Sequence, residues 1–403
     1  MLYNIEAMAK INNYFKRKYE DDQTEFREKI NRHRRFVLYR ILILIAIVAA
    51  AGFVMYYNYK NMIYTDYTVL RTLDYEESTT ASYLKFNNNF LRYSVDGISA
   101  FNIDNKMLWN QPFEMQNPIV DVCGDYVAVG DYKKSKIYVL NSEGPQGEID
   151  TTLPIHNLCV SGTGNVAVIL EEGDVTWVKL YNKEGKNIAN DRTTMDKSGY
   201  PVAIAMSEDG IMLCVSYLLI EGGSLSTSVA YYNFGDVGQN EIDNLVAGFN
   251  FNNSIVSYVD FINSNTSIAV GDNRLEIFKG AQKPENVFET EITGKIRSVF
   301  SNKDYIGLVY SEGRSVNPYH IDVYDTTGEM VFSKDFALNY SDIIFNRDWV
   351  IIYNSDECVI YNLNDVEKFS GTFKESIVEM VPTDSITRYL LVSGTKTEEI
   401  QLK

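Results

Sequence analysis

Apolar positions follow two regimes along this chain. Across residues 36–57 they run unbroken except for Arg40, whereas after Tyr67 they come in short bursts separated by Gly, Asn, Asp and Ser. The first regime predicts a helix. Its charge-free part, 41–57, is 17 residues long, and 36–57 as a whole is 22. At about 1.5 Å per residue this covers roughly 33 Å, enough to cross a hydrocarbon layer of about 30 Å. A lone segment in lipid must satisfy its own backbone hydrogen bonds, which only a helix does.

The second regime predicts strands, because its bursts are rich in Val, Ile, Tyr and Phe and are bounded by turn residues. One phrase recurs: a β-former, an aromatic, Asn or Asp, then a turn. It reads AFNIDNK at 100–106, LYNKEGK at 180–186, VYDTTGE at 323–329 and IYNLNDV at 360–366. Looser copies lie at 138–144 and 230–236, and EIFKGAQ at 276–282 keeps the aromatic but loses the Asn. The residues that define the repeat are Phe101 with Asn102, Tyr181 with Asn182, Tyr324 with Asp325, Tyr361 with Asn362, and Trp109 just beyond the first copy. Each copy closes a third strand-like run and is followed by a fourth. Four strands joined by hairpins describe one blade of a propeller.

The units fall near 80–114, 118–152, 154–197, 199–251, 253–293, 294–338 and 339–374, with a last one at 375–403. That last unit has only three runs, and its fourth strand is expected from 67–73. An open array would leave two sticky edges, and sharing a blade between the two ends of the chain removes them. Eight units average about 42 residues, within the range of roughly 40–50 for a blade, and seven blades of about 48 are the alternative. The expected fold is therefore an all-β propeller preceded by a single transmembrane α-helix.

Charge sets the expected orientation. Residues 1–40 carry ten basic and six acidic side chains, whereas the flank after the span has only Lys60 before Asp66. Basic flanks stay cytoplasmic, with Arg32, Arg34, Arg35 and Arg40 nearest the span. The expected organisation is a cytoplasmic basic, partly helical segment (1–35), a span (36–57), a short linker (58–66) and an extracytoplasmic propeller (67–403). Cleavage of a signal peptide at Ala49-Ala50-Ala51 is the rival reading. A basic region this long and the apolar continuation through 52–57 weigh against it. The net charge of −17 lies wholly beyond the N-terminal segment, which argues against nucleic acid as a partner.

Candidate chemistry is thin. Cys123, Cys159, Cys214 and Cys358 each sit in a strand-like run and read as small buried hydrophobes. Cys123 and Cys159 occupy equivalent places in neighbouring units, which argues against a bond between them. His33 belongs to a basic cluster, and His156 and His320 read as isolated structural residues. Glu171-Glu172 and Asp356-Glu357 are expected in solvated turns. No metalloprotease, EF-hand, P-loop or nucleophile-elbow motif is present. Ile5, Met8, Ile11, Phe15 and Tyr19 recur at helical spacing and mark one face of an N-terminal helix, for lipid or for a cytoplasmic partner. Segments 218–228, 235–248 and 311–320 exceed the repeat and are candidate recognition loops.

AFNIDNKMLWN resembles the quinoprotein-type propeller repeat, in which A-x-D-x-x-T-G precedes a tryptophan; Ala100, Asn102 and Trp109 match in part. VYDTTGEMVF is a second partial match, with Phe332 in the tryptophan's place. The whole arrangement resembles an uncharacterised membrane-anchored family of Gram-positive bacteria with a WD40-like or quinoprotein-like propeller. There is no vicinal Cys-Cys pair of the quinone-binding kind and no Trp-Asp dipeptide. The resemblance therefore implies a fold and no cofactor. The function expected is a non-catalytic module at the cell membrane that binds a protein or an envelope polymer. One alternative is a sensor signalling through the N-terminal segment; another is a divergent metal- or quinone-dependent enzyme.

Overall fold

The computed structural model describes residues 2–74, 81–104, 106–173, 175–194, 199–221, 223–311, 313 and 316–403. One helix, α1, runs from Leu2 to Lys60 without interruption. It contains no proline and a single glycine, Gly52, so nothing in it breaks the hydrogen-bond ladder. Arg32, Arg34, Arg35 and Arg40 lie exposed on it, and its apolar stretch Asn31–Tyr57 buries nothing within its own unit. The side chains of Ile5, Met8, Ile11, Phe15 and Tyr19 lie outside the described residues.

From Ile63 onward the chain forms a second unit, an eight-bladed propeller. Its described residues make 32 strands in eight four-stranded antiparallel sheets. Blades 1 to 7 occupy 82–112, 118–150, 155–194, 200–252, 256–291, 295–336 and 342–372. Blade 8 takes three strands from 379–402 and its outer strand from Tyr67–Asp74, which pairs antiparallel with Lys396–Leu402. Around that seam Lys403 N donates to Asp66 O at 2.9 Å, and Tyr64 N donates to Lys368 O of blade 7 at 2.7 Å.

Each sheet packs on both faces against its neighbours, so the second strands read as continuous apolar runs. Val166–Glu172, Thr266–Gly271 and Trp349–Tyr353 are buried along most or all of their length. Outer strands such as Glu285–Glu291 are largely exposed. Eight hydrophobic clusters are found among the described residues, each straddling one blade boundary, including the boundary between blades 8 and 1. The ring is thus closed by packing as well as by strand pairing.

The chain joins the propeller where Tyr67 lies opposite Leu402. By the antiparallel order, this is the face that carries the turns after first and third strands, here called the attachment face. The turns between second and third strands lie on the far face. There blade 4 departs from the rest: Met212–Glu221 and Ser224–Asn233 are ten residues each, against four to eight for strands elsewhere. The segment 218–228, expected as a loop, is therefore mostly strand. The paired positions from Leu218↔Thr227 to Glu221↔Ser224 carry the ladder outward, and Gly223, at φ +86, makes the turn that a side chain would strain.

Candidate functional site in the axial channel

The first strands of the blades surround the axis and enclose two cavities. One, of about 520 Å³, is lined by blades 2 to 6. The other, of about 250 Å³, is lined by blades 1, 6, 7 and 8, and the two share Ser301. Four acids face this space from four different blades: Asp121, Asp260, Asp342 and Glu379.

Asp121 accepts the Val160 amide on Oδ2 at 2.7 Å. Burial pushes its carboxyl from the ordinary 3.8 to about 6; the Val160 amide opposes the shift and the charge of Asp260 adds to it. Asp260 accepts Tyr258 Oη and Ser301 Oγ, each at 3.1 Å. Burial raises its pKa too, against those two donors. Across the axis Tyr353 Oη donates to Glu379 Oε1 at 2.5 Å. Burial carries Glu379 from 4.5 to about 7; Tyr353 opposes the rise and Asp342 adds to it. Asp342 is itself raised by burial, and Lys85 of blade 1 is lowered by burial.

On the attachment face the mouth is rimmed by turns. Lys303 Nζ of blade 6 reaches both carboxylate oxygens of Glu208 of blade 4 at 3.2 Å, skipping blade 5. Asn302 Nδ2 donates to Arg347 O at 2.9 Å, and Arg347 Nη2 donates to Asp384 O at 2.7 Å. Gly162 of blade 3 lies so close to blade 4 that a Cβ there would sit 2.7 Å from Glu208 O. Burial thus raises all four channel acids above their ordinary values. The channel thiols are held protonated: burial pushes Cys123 up to about 11 and Cys159 well above its ordinary value, which removes the thiolate a nucleophile needs. Among the described residues no histidine lines either cavity, and no group of three or more His, Cys, Asp or Glu is placed to hold a metal ion.

The repeat-defining residues lie away from this channel, at blade boundaries. Each Asn or Asp ties the turn that follows the third strand. Asn102 Oδ1 accepts the amides of Asp104 and Lys106, and Asn182 Oδ1 accepts that of Lys186. Asp325 Oδ1 accepts those of Thr327 and Glu329, and Asn362 Oδ1 those of Asn364 and Val366. Each aromatic packs back on the preceding blade. Tyr324 meets Phe288 at 5.9 Å between ring centres and Tyr361 meets Phe332 at 6.1 Å. Tyr181 joins the cluster of blades 2 and 3, and Phe101 that of blades 8 and 1. Trp109 lies buried with its ring 3.7 Å from where a Cβ on Gly144 of blade 2 would sit. In blades 1 to 7 the ladder of third and fourth strands also slips register beside the motif's aromatic position. This bulge turns the chain into the Asn-tied turn.

The matching span coincides with this ring: the profile of DUF5711, described as a family of unknown function, matches residues 58–402. The chain belongs to that family. No curated protein matches it. Among solved structures, the DUF5711 chain is similar to BamB from Moraxella catarrhalis (12% identity, TM-score 0.48, covering 84% of this chain and 100% of that one). It is also similar to Kluyveromyces lactis Hsv2p (9%, 0.47, 73% and 98%) and to the Neurospora crassa Pan2 WD40 domain (11%, 0.42, 84% and 95%). At these values the likenesses carry no functional argument.

Three sequence readings need correction. Glu171 and Glu172 end a strand, Val166–Glu172, and are not in a turn; Glu171 accepts Tyr200 Oη at 2.7 Å. His320 lies inside Tyr319–Asp325 and has partners, Asp335 on Nδ1 and Asp322 on Nε2. Burial lowers its pKa, but the two carboxylates outweigh that and leave it raised. His156 Nδ1 lies 3.0 Å from a Glu171 carboxylate oxygen, so it too has a carboxylate neighbour, without a hydrogen bond to it. The channel acids escaped sequence reading because each stands alone in its own strand; an acid inside an apolar first-strand run, as in PIVDV and YVDF, was the signal available.

Proposed function

We propose that this protein is a membrane-tethered interaction module: 36–57 crosses the bilayer once with the N-terminus cytoplasmic, and the propeller outside binds a protein or an envelope polymer without catalysing a reaction. Ile43, Leu44, Ile47 and Val48 on α1 are each 60% exposed or more, a row of side chains that lipid accommodates and water does not. The observation that carries the binding role is the extended hairpin of blade 4. It holds Ile220 and Leu225 in solvent on the far face, away from the point where the chain joins the ring. Raised thiols and acids without an activated nucleophile support a non-catalytic role. In-cell crosslinking from position 224 tests the reading. A reproducible partner that is lost when 219–226 is replaced by a two-residue turn supports it, and identical crosslinks with and without the hairpin contradict it.

A second reading, a sensor, draws on the continuity of α1 from Leu2 to Lys60. Deleting residues 1–30 while keeping Arg32, Arg34 and Arg35 tests it. A sensor loses its cellular response, and a tether keeps partner binding unchanged.

A further inference from the structure

A third cavity, of about 490 Å³, lies away from the axis between blades 3 and 4. Its size falls in the range of small-molecule pockets, roughly 300–1,000 Å³. Val178 and Leu180 of blade 3 and Leu213 of blade 4 supply a buried apolar floor, which Phe234 extends. The connection after the third strand of blade 4 closes one side with Asp243 and Asn244, so the cleft belongs to the attachment face and not to the extended hairpin.

One end of the cleft is polar. Asp191 Oδ2 accepts Tyr217 Oη at 3.2 Å and Tyr232 Oη at 3.3 Å, and the two hydroxyls lie 2.9 Å apart. These contacts fix the carboxylate at the end of an apolar trough. Both of these hydrogen bonds to the carboxylate fall on Oδ2, which leaves Oδ1 for a ligand, and among the described residues no lysine, arginine or histidine lines the cavity. An anion placed here would face two carboxylates, and a neutral apolar molecule would cover Asp191 without pairing it, which is costly. A cation with an apolar body satisfies both ends.

We propose that the blade 3–4 cleft is a binding site for an organic amine, whose ammonium pairs with Asp191 Oδ1 and whose aliphatic or aromatic body lies on Leu180, Leu213 and Phe234. The assignment is independent of the interaction role proposed above. It is tested by calorimetric titration of the full-length protein in neutral detergent with phenethylamine, 2-phenylethanol and 3-phenylpropionate. The amine is expected to bind saturably at one site, at least tenfold tighter than the alcohol, and the acid not at all. Asp191→Asn should weaken the amine at least tenfold while leaving the alcohol unchanged. Ala189→Phe, which fills the cleft and keeps Asp191, should abolish amine binding even if Asp191→Asn disturbs the fold. Equal affinity for amine and alcohol, or amine binding retained by both variants, overturns the proposal.

Discussion

Blade 8 draws its outer strand, Tyr67–Asp74, from the other end of the chain; that strand pairs with Lys396–Leu402, and Tyr64 just before it bonds to blade 7. Tyr64, Tyr67, Trp349, Tyr353 and Tyr389 all enter the single cluster at the boundary of blades 7 and 8. Blade 4 has the same four-strand plan with all strands consecutive, and it extends two of them into solvent. Large side chains are turned inward where the ring must close, and apolar tips are left outside where closure is already secured. The same four-strand repeat thus closes the ring in one blade and extends beyond it in another.

The largest expected effect is at the seam. Tyr389 is fully buried among blades 7 and 8, so Tyr389→Ala should cost about 3–5 kcal/mol in urea unfolding. Replacing 219–226 of blade 4 by a tight turn should stay within about 0.5 kcal/mol, as for surface changes elsewhere. Similar losses at both places would erase the contrast.

A second effect separates the channel from the seam it adjoins. Glu379 binds its proton more tightly folded than unfolded, so the folded state carries the extra proton between about 4.5 and about 7. The stability this group contributes is fully present below pH 4.5 and is lost as pH rises through 7. Glu379→Gln should therefore stabilise the protein at pH 8 by on the order of 2 kcal/mol and be neutral near pH 4. A variant equally stabilised at both values would show that packing, not ionisation, is responsible.

A third tests the repeat itself. Asn362 is buried and accepts two backbone amides, so Asn362→Ala should cost about 1–2 kcal/mol, with Asn362→Asp recovering most of it. No recovery by the aspartate would mean that the motif's oxygen is not what holds the turn.

Legibility from sequence followed locality. The eight units could be read because the aromatic and Asn of each phrase act within one turn and one blade boundary, and Tyr324 with Asp325 needs no distant partner to be recognised. Closure by 67–73 was legible from a missing strand. The blade 4 hairpin was misread as a loop because its glycines and serines carry turn composition, while its length is set by pairing across to Ser224 and Thr227. The channel acids showed only as single acids inside apolar runs, with nothing to group them. Asp121 and Asp260 stand three blades apart, and Asp342 and Glu379 come from two further blades, so no spacing along the chain relates them. The cleft at Asp191 is likewise assembled from two blades, and Tyr217, Tyr232 and Asp191 share no motif.

The central claim is that α1 tethers a propeller displayed outside the cell, and site-directed thiol labelling of intact cells tests it most directly. Cys159, Cys214 and Cys358 are buried and Cys123 is half-buried in the channel, so background labelling is low. Ser224→Cys on the blade 4 hairpin should react with a membrane-impermeant maleimide before lysis, and Asn12→Cys only after it. Labelling of Asn12→Cys in intact cells with Ser224→Cys protected, or recovery of the full-length protein in the soluble fraction, would contradict the account.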